Sequence, residues 1–385
     1  MWVRSATDEY SERLVEAFNA DHETQIELTV IPNDSFLQKV GAAAGSNTLP
    51  DLLASDVIYA PNYTHQGLYA EITDEVAALD FADTINQAHM TIGAIGDVQY
   101  TIPFKVDSSV IYWNKDLFAQ AGLDPETLDT SVDGLYEQAA AVRALGGDVY
   151  GFYFGGACGG CTGYTVMPVA AADGTAPLND DGTVADIDNE AFASYFDLYG
   201  RLFDDGIAPA SVREEQGATW SEAFLAGNIG IYPGGNSLVT QLADAEFEWG
   251  VAPITSPDGG TPSTFVGGDV IGVSASSTHP DEGWEFIEWM LSDETQVELV
   301  AKPGELPVRS DLVDNEYTTA DPRIAAIAAN LENGYTPYAL PFGEIFNDPN
   351  GPWVEAFRGV IFNDDPAALA DGQASIQSIL DQSNS

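Results

Sequence analysis

The chain has 385 residues, of which 45% are hydrophobic, so it can fill more than one core and is not a disordered chain. Its 61 acidic residues against 12 basic ones give a formal net charge of −49, which excludes nucleic acid and anionic lipid surfaces as partners. No apolar run approaches the roughly 18 residues of a membrane span. The acidic residues are scattered, which favours a solubility device for a salty or acidic habitat over a cation trap.

The N-terminal part alternates strands and helices. Residues 1–3 lead into a first strand. The elements predicted next are a helix over 8–19, a strand over 26–31, a helix near 34–45 and a short buried strand over 49–54. This order predicts a doubly wound α/β sheet. No signal peptide precedes the first strand, so an exported protein would be present here in a mature or trimmed form.

Residues 102–122 are the most informative stretch of the chain. They predict an apolar strand, a short polar turn, a second strand ending at Asn114, and an amphipathic helix closed by Gly122. The polar turn carries Lys105, one of only four lysines. This pattern indicates two sheets joined through one exposed polar crossing.

The rest of the chain continues in the same mixed style. Helices are predicted within 115–145 (two), at 189–205, 219–226, 281–291 and 292–302, and strands within 227–236 and 265–274. Residues 320–382 are mostly helical. Because the sequence has no low-complexity linker, two domains would be connected through strands.

The two cysteines lie together in residues 155–163, GGACGGCTG. A CxxC pair can be a redox centre, half of a zinc site or a small disulfide. Zinc normally needs four ligands, and no second such pair exists here. A redox pair usually opens a helix, whereas glycines surround this one. We therefore expect a structural disulfide between Cys158 and Cys161, which implies an oxidising, extracytoplasmic location.

Six segments share an order and spacing that are specific only when taken together. They are LPDLLASD (49–56), HQGLYAEIT (65–73), VQYTIPFKVDSSVIYWNKDLFAQAGLD (98–124), WSEAFLAGNIGIYPGG (220–235), FVGGDVIGVS (265–274) and GWEFIEWMLSDETQVELVAKPGELPVRSD (283–311). The chain thereby resembles, nearly end to end, the extracellular solute-binding proteins of carbohydrate ABC importers, the group that includes maltose-binding protein.

The resemblance implies an α/β, two-lobed, periplasmic-binding-protein-like fold with a ligand cleft between lobes joined by a multi-strand hinge. Lobe 1 is expected to comprise residues 1–107 and 255–303, and lobe 2 residues 108–254 and 304–385. The chain is expected to cross between them near 106–110, 252–264 and 302–308.

The same resemblance implies a function without chemistry. A monomer would bind a sugar or oligosaccharide outside the cell, close around it by hinge motion, and deliver it to an ABC transporter permease, with no cofactor and no metal. Such proteins are usually lipoproteins in Gram-positive bacteria, and the anchoring cysteine would lie upstream of this chain.

Ligands of open α/β sheets lie beyond the carboxyl ends of strands. This rule selects polar residues and glycines in the loops after the predicted strands: Arg4, Asp34, Asp56, Lys105, Asp107, Gly235, Asn236, Gly268 and Asp269. Carboxylates, amides and cationic groups can satisfy sugar hydroxyls in pairs, and glycines let a ring approach the backbone. Alternatively, Asp56 and Lys105 form an ion pair with each other.

A pyranose also needs an apolar platform, because its faces are mostly C–H. Trp220, Phe342 and Trp353 lie beside Gly, Pro or Asn rather than in a periodic run, so we expect them to stack on the ligand. Plain packing is the alternative for each. Residues 155–164, the cysteine loop, are expected to determine specificity.

Three other functions agree less well with the sequence. A glycosidase could use two carboxylates, but acids are too abundant here for a pair to carry information, and no catalytic motif is present. The same fold could bind a polyamine or other cationic solute, against which Arg4 and Lys105 argue. Calcium at Asp180-Asp181-Gly182 lacks EF-hand spacing, so a hairpin turn is expected there.

Overall fold

A computed structural model describes residues 1–383 and divides the chain into two compact units. Unit 1 comprises Met1–Val106 and Gly267–Ala325, and unit 2 comprises Asp107–Val266 and Ala326–Ser385. The expected lobes assign residues 107, 255–266 and 304–325 differently. No helix among the described residues has both the length and the apolar character needed to cross a membrane.

The first segment of unit 1 alternates short strands and helices. They are β1 (Trp2–Arg4), α1 (Asp8–Asp21), β2 (Thr29–Ile31), α2 (Asn33–Ser46), β3 (Leu52–Asp56), α3 (Ala60–His65), α4 (Thr73–Ala77), α5 (Gln87–Ile92), β4 (Ala94–Ile95) and β5 (Val98–Gln99). β1 pairs in parallel with both β2 and β3, as the predicted α/β order requires. Strand structure begins only at Thr29, so the first half of the strand predicted over 26–31 was wrong.

The long strand β6 (Ile102–Asn114) passes from unit 1 into unit 2. The polar turn predicted within it was wrong, because its polar groups are bonded inside the sheet. Ser108 and Ser109 are buried, and the Ser109 hydroxyl accepts a hydrogen bond from the Phe265 N–H at 2.9 Å. The Ser108 N–H donates to Asn236 Oδ1 at 2.6 Å. Satisfied in this way, the serines do not interrupt the strand.

Unit 2 continues the chain with helices around a second group of strands. They are α6 (Lys115–Gln120), α7 (Val132–Arg143), β7 (Tyr150–Phe152), α8 (Gly159–Ala172), α9 (Glu190–Asp204), α10 (Trp220–Leu225), β8 (Ile229–Gly235), α11 (Leu238–Leu242), β9 (Trp249–Ala252) and β10 (Ile254–Thr255). β8 is parallel to β7 and antiparallel to β6, and β9 pairs with the other side of β6.

The strand β11 (Pro262–Val273) also passes through a unit boundary without a break. Its segment Asp269–Val273 pairs antiparallel with β3 in unit 1. Gly268, predicted as a ligand contact, has φ +103, and a Cβ there would lie 2.1 Å from the Lys105 carbonyl oxygen. Glycine is therefore required at this position by close backbone packing.

The remaining elements are mostly helical, as predicted. They are α12 (Pro280–Met290), a π-helical segment Thr295–Ala301, α13 (Pro322–Asn330), β12 (Gly334–Tyr335), α14 (Pro352–Asn363) and α15 (Ala368–Ser383). The third boundary between the units falls inside α13. Each unit has its own core, with Phe18 and Phe36 fully buried in unit 1 and Phe192 and Trp353 in unit 2.

Candidate functional site

In unit 1, the predicted site residues Arg4, Asp56 and Asp269 form one charged cluster. Arg4 ends β1 and Asp56 ends β3, so parallel pairing puts both at the same edge of the sheet. Arg4 Nη1 lies 2.8 Å from Asp56 Oδ2, and Arg4 Nε donates to Asp269 Oδ2 at 3.0 Å. A second bond joins Arg4 Nη2 to Asp269 Oδ1. The bidentate pair holds a fully buried carboxylate, that of Asp269.

The charge state of this cluster follows from its partners. Burial by itself would lower the pKa of Arg4, but the carboxylates of Asp269 and Asp56 outweigh it and raise that pKa above its ordinary value. Arg4 is therefore a permanent cation whose charge is already balanced within unit 1. The Arg4 side chain is 17% exposed.

Lys105 pairs with Glu305 instead of with Asp56. Lys105 Nζ lies 2.9 Å from Glu305 Oε1 and 5.5 Å from the centroid of the Tyr10 ring. The Tyr10 hydroxyl donates to the Phe104 carbonyl at 2.6 Å. The ion pair considered between Asp56 and Lys105 is therefore wrong, because each group has a different partner within hydrogen-bond distance.

Two tyrosines beside this cluster were missed by the sequence analysis. Tyr59 and Tyr63 follow the end of β3 directly, and their rings are stacked with centroids 6.1 Å apart. Burial, and then the neighbouring tyrosines, raises the pKa of Tyr63, so its hydroxyl stays protonated. The rule that selected Asp56 also reaches these residues, because they lie in the same loop and helix beyond the strand.

Asp34 lies outside the cluster. It is exposed in the first turn of α2, where a carboxylate favours the start of a helix. The neighbouring Asn33, after β2, instead bonds to the segment after β1. Its Oδ1 accepts hydrogen bonds from the Ser5 hydroxyl and the Ala6 N–H, each at 3.2 Å.

In unit 2, Asp107, Gly235 and Asn236 lie close together, although the expected lobe boundaries put Asp107 in the other lobe. The Tyr164 hydroxyl donates to Asp107 Oδ1 at 2.7 Å, and a Cβ on Gly235 would lie 3.2 Å from that same oxygen. Asn236 is bonded to Ser108 in both directions, since its N–H donates to the Ser108 carbonyl at 2.9 Å. Tyr164, in α8, was expected only as part of the cysteine loop.

The predicted disulfide between Cys158 and Cys161 is confirmed, but its surroundings differ from the expected loop. Cys158 is the N-cap residue of α8, and its Sγ accepts the Cys161 N–H at 3.1 Å. The pair therefore opens a helix, since Cys158 is its N-cap residue. The glycine that follows is required by close packing, because a Cβ on Gly159 would lie 2.2 Å from the Phe346 carbonyl oxygen.

A turn packed against the disulfide is organised by the buried carboxylate of Glu215. Oε1 accepts the Gly217 N–H at 2.6 Å, and Oε2 accepts the Tyr153 hydroxyl at 3.1 Å and the Thr219 hydroxyl. Burial would raise the pKa of Glu215, but these hydrogen bonds outweigh it and hold that pKa below its usual value. Sequence alone could not single out one acid among 61.

The three predicted aromatic platforms have different positions. Trp220 starts α10, is half-buried, and has its ring 5.4 Å from that of Tyr232. Phe342 is 3% exposed and packs on Phe346 at 4.8 Å. Trp353 is fully buried, and its indole N–H donates to the Thr162 hydroxyl at 2.9 Å. Phe342 and Trp353 are therefore core residues, which corrects the expectation of stacking, whereas Trp220 is half-buried, with its indole nitrogen out of contact with solvent.

Comparison with known proteins gives a family and a fold. The profile described as bacterial extracellular solute-binding protein matches residues 4–297. The diacetylchitobiose binding protein DasA of Streptomyces coelicolor is 24% identical over 361 residues, covering 91% of this chain and 82% of the relative. The galactooligosaccharide-binding protein of Bacillus subtilis is 24% identical over 377 residues, covering 96% of this chain and 83% of the relative.

A solved structure extends the match to the fold. The cyclic alpha-maltosyl-1,6-maltose binding protein of Arthrobacter globiformis superposes with a TM-score of 0.82 at 23% identity, over 99% of each chain. The expected mixed α/β fold of the two-lobed solute-binding proteins is confirmed by this match. The relatives named above are all binding proteins.

Proposed function

Because the chain belongs to the family of bacterial extracellular solute-binding proteins, we propose that it binds a sugar or oligosaccharide outside the cell and delivers it to an ABC transporter permease. The names of two relatives, a diacetylchitobiose and a galactooligosaccharide binding protein, support a carbohydrate ligand. The observation that carries the proposal is the polar cluster at the carboxyl ends of β1 and β3, with Arg4 and Asp56 side by side.

The chemistry of both clusters suits neutral hydroxyl groups. Asp107, accepting from Tyr164, presents a carboxylate of fixed orientation, and such a group can accept from two neighbouring sugar hydroxyls. Trp220 supplies an aromatic face for the C–H surface of a pyranose. We propose that Arg4, Asp56 and Lys105 contact the sugar from lobe 1, that the buried Asp269 holds Arg4 in place for this contact, and that Asp34 is only a peripheral contact.

We further propose that closure of two lobes around the sugar is the mechanism, without catalysis. The uninterrupted strands β6 and β11 support it, since strands that run through two of the three unit boundaries can serve as a hinge without a flexible tether. Small-angle scattering tests this step: the radius of gyration falls when saturating sugar is added. An identical radius with sugar demonstrably bound would overturn the closure mechanism.

The location follows from the family. An extracellular site and a disulfide agree with each other, and we propose a cell-surface lipoprotein acting as a monomer. Detergent phase partitioning of the protein from its native cells tests the anchor. Recovery in the aqueous phase after mild washing would contradict anchoring and leave sugar binding unaffected.

A thermal-shift screen tests the binding function itself. The panel contains N,N′-diacetylchitobiose, maltotriose and a galactooligosaccharide, with spermidine and calcium as controls. A ligand at 100 times its Kd adds about 2.7 kcal/mol to the free energy of unfolding, a clear rise in melting temperature. A response to one sugar series supports the proposal, whereas a response to spermidine alone would favour the cationic-solute alternative.

A further inference from the structure

The disulfide of unit 2 does more than close a short loop, because both sulfur atoms contact a second segment of chain. A Cβ on Gly217 would lie 3.0 Å from Sγ of Cys158 and 3.0 Å from Sγ of Cys161. Gly217 has φ +102, a conformation that L side chains rarely adopt. The backbone at Gly217 is therefore fitted directly against the disulfide, and no other residue could approach it so closely.

The segment that carries Gly217 is bonded to the cysteine segment on both sides of this contact. The Ala157 N–H donates to the Glu215 carbonyl at 2.9 Å, and the Gly156 N–H donates to the Val212 carbonyl at 2.8 Å. Glu215 then gathers the turn by accepting the N–H of Gly217. The residues between Val212 and Thr219 thus take their shape from the start of α8.

This turn ends at the start of the helix that carries the half-buried Trp220. Thr219, whose hydroxyl is bonded to Glu215, is the N-cap of α10, and Trp220 is the first residue of that helix. The Trp220 ring lies 5.4 Å from that of Tyr232 in β8, the strand that leads into Gly235 and Asn236. The direction of the Trp220 side chain therefore depends on the turn that the disulfide supports.

The other end of the same connection reaches a second predicted ligand contact. α8, which Cys158 caps, also carries Tyr164, whose hydroxyl donates to Asp107. The Tyr164 ring packs 5.4 Å from Phe265, which fixes its orientation. One disulfide thus lies at the junction of the helix that orients Asp107 and the turn that presents Trp220.

We infer that the Cys158–Cys161 disulfide is a positioning element of the ligand site, so that sugar affinity depends on its being oxidised. The inference rests on the proposed function and adds a regulation of the same site by thiol reductants. An ordered turn lowers the conformational cost of binding, because Trp220 and Tyr164 are held in place before the sugar arrives. Reduction breaks the disulfide, so the turn must be ordered when the sugar binds, and the conformational cost of binding rises again.

The chemistry of the switch needs a dithiol as the co-reactant. Its thiolate attacks Sγ of Cys158, which is half-buried, rather than that of Cys161, which is buried. The Cys158–Cys161 bond breaks and Cys161 leaves as a thiolate that takes up a proton. The second thiol of the reductant then displaces Cys158 as a thiol. The protein gains two electrons and two protons, and the dithiol is oxidised to its cyclic disulfide.

The experiment compares the oxidised protein, the protein reduced with dithiothreitol, and the Cys158→Ser/Cys161→Ser variant. Hydrogen exchange reports on residues 156–157 and 215–220, and calorimetry reports the Kd of whichever panel sugar binds best. In both proteins that lack the disulfide, the reduced wild type and the double variant, we expect faster hydrogen exchange in 215–220 and a Kd raised about tenfold. If the double variant does not fold, the reduced wild type still allows hydrogen exchange and the Kd to be compared with those of the oxidised protein.

A glycine substitution separates the contact from general strain. Gly217→Ala places a methyl group against both sulfurs, whereas Gly146→Ala introduces a methyl at φ +83 with nothing within 4 Å. We expect Gly217→Ala to weaken sugar binding and Gly146→Ala to leave the Kd unchanged at similar backbone strain.

The outcomes distinguish the two proposals. Unchanged exchange in 215–220 after reduction, or faster exchange with an unchanged Kd, overturns the inference and leaves sugar binding intact. If the oxidised protein binds no sugar of the panel, the proposed function fails. The inference about sugar affinity then fails with it, and accelerated exchange would show only that the disulfide orders the turn over 215–220.

Discussion

Arg4 holds the carboxylate of Asp269 through two hydrogen bonds, although 265 residues separate them in the sequence. Asp269 is fully buried, so its negative charge has lost its hydration and relies on Arg4 for compensation. The pair joins the first strand of the chain to β11, which closes the sheet of unit 1 on the other side of β3.

Removing one member of this pair should destabilise unit 1 strongly. Asp269→Asn leaves Arg4 with Asp56 alone, and breaking a buried ion pair typically costs about 3–5 kcal/mol. Urea unfolding followed by circular dichroism measures the change. Asp34→Asn, at an exposed carboxylate in the first turn of α2, is the control and should lower the free energy of unfolding by less than about 1 kcal/mol. Equal stability of the two variants would show that Asp269 does not depend on Arg4.

The Tyr164–Asp107 bond should contribute to sugar affinity. Tyr164→Phe removes the hydroxyl that orients Asp107 and keeps the ring that packs on Phe265. A hydrogen bond to a charged group contributes about 1.5–3 kcal/mol, so the Kd should rise about tenfold or more by calorimetry.

A surface tyrosine of the same unit provides the matched control for this change. The Tyr136 hydroxyl donates to Asp205 at 2.6 Å on an exposed surface. Tyr136→Phe removes the same kind of bond away from the site and should leave the Kd unchanged. An equal loss of affinity in both variants would contradict a specific role for Tyr164.

The Glu215 turn should weaken in acid. Hydrogen bonds hold the folded pKa of Glu215 below its ordinary 4.5, despite the opposing effect of burial. A depressed folded pKa contributes stability that is present above pH 4.5 and is lost as the pH falls toward the folded value. The stability difference between wild type and Glu215→Gln should therefore shrink below pH 4.5, measured by chemical denaturation at several pH values. A difference that grows in acid would contradict the account.

The net charge of −49 should make stability depend on salt. Scattered surface carboxylates repel one another over a Debye length of about 30 Å at 0.01 M salt and about 3 Å at 1 M. The melting temperature should rise across this range of NaCl, most steeply at the low end, because repulsion destabilises the compact state. A flat melting temperature would mean that the acids are spaced too widely to matter.

The sequence located some of these features for a simple reason. Arg4, Asp56 and Asp107 follow or interrupt apolar runs, and the rule for carboxyl ends of strands needs only that local pattern. The partners of the site residues could not be predicted in this way. Long-range packing brings Glu305 to Lys105 and Tyr164 to Asp107, and a local sequence pattern does not contain that information.

The misplaced aromatic Trp353 has a local explanation. Gly351 and Pro352 suggested a loop, but Pro352 is the first residue of α14 and Gly351 its N-cap. Proline is favoured at that position because an N–H in the first turn of a helix has no partner within the helix, so proline, which lacks an N–H, loses no hydrogen bond there. Trp353 therefore starts a buried helix, and its polar N–H is satisfied by Thr162.

The most direct test of the account is calorimetric titration of the oxidised protein with the sugar panel. We predict one-to-one binding of one oligosaccharide series and a weaker Kd for Trp220→Ala, which removes the half-buried aromatic ring that we propose stacks on the sugar. Heat from spermidine alone, with no sugar of the panel binding, would contradict the carbohydrate function that we propose.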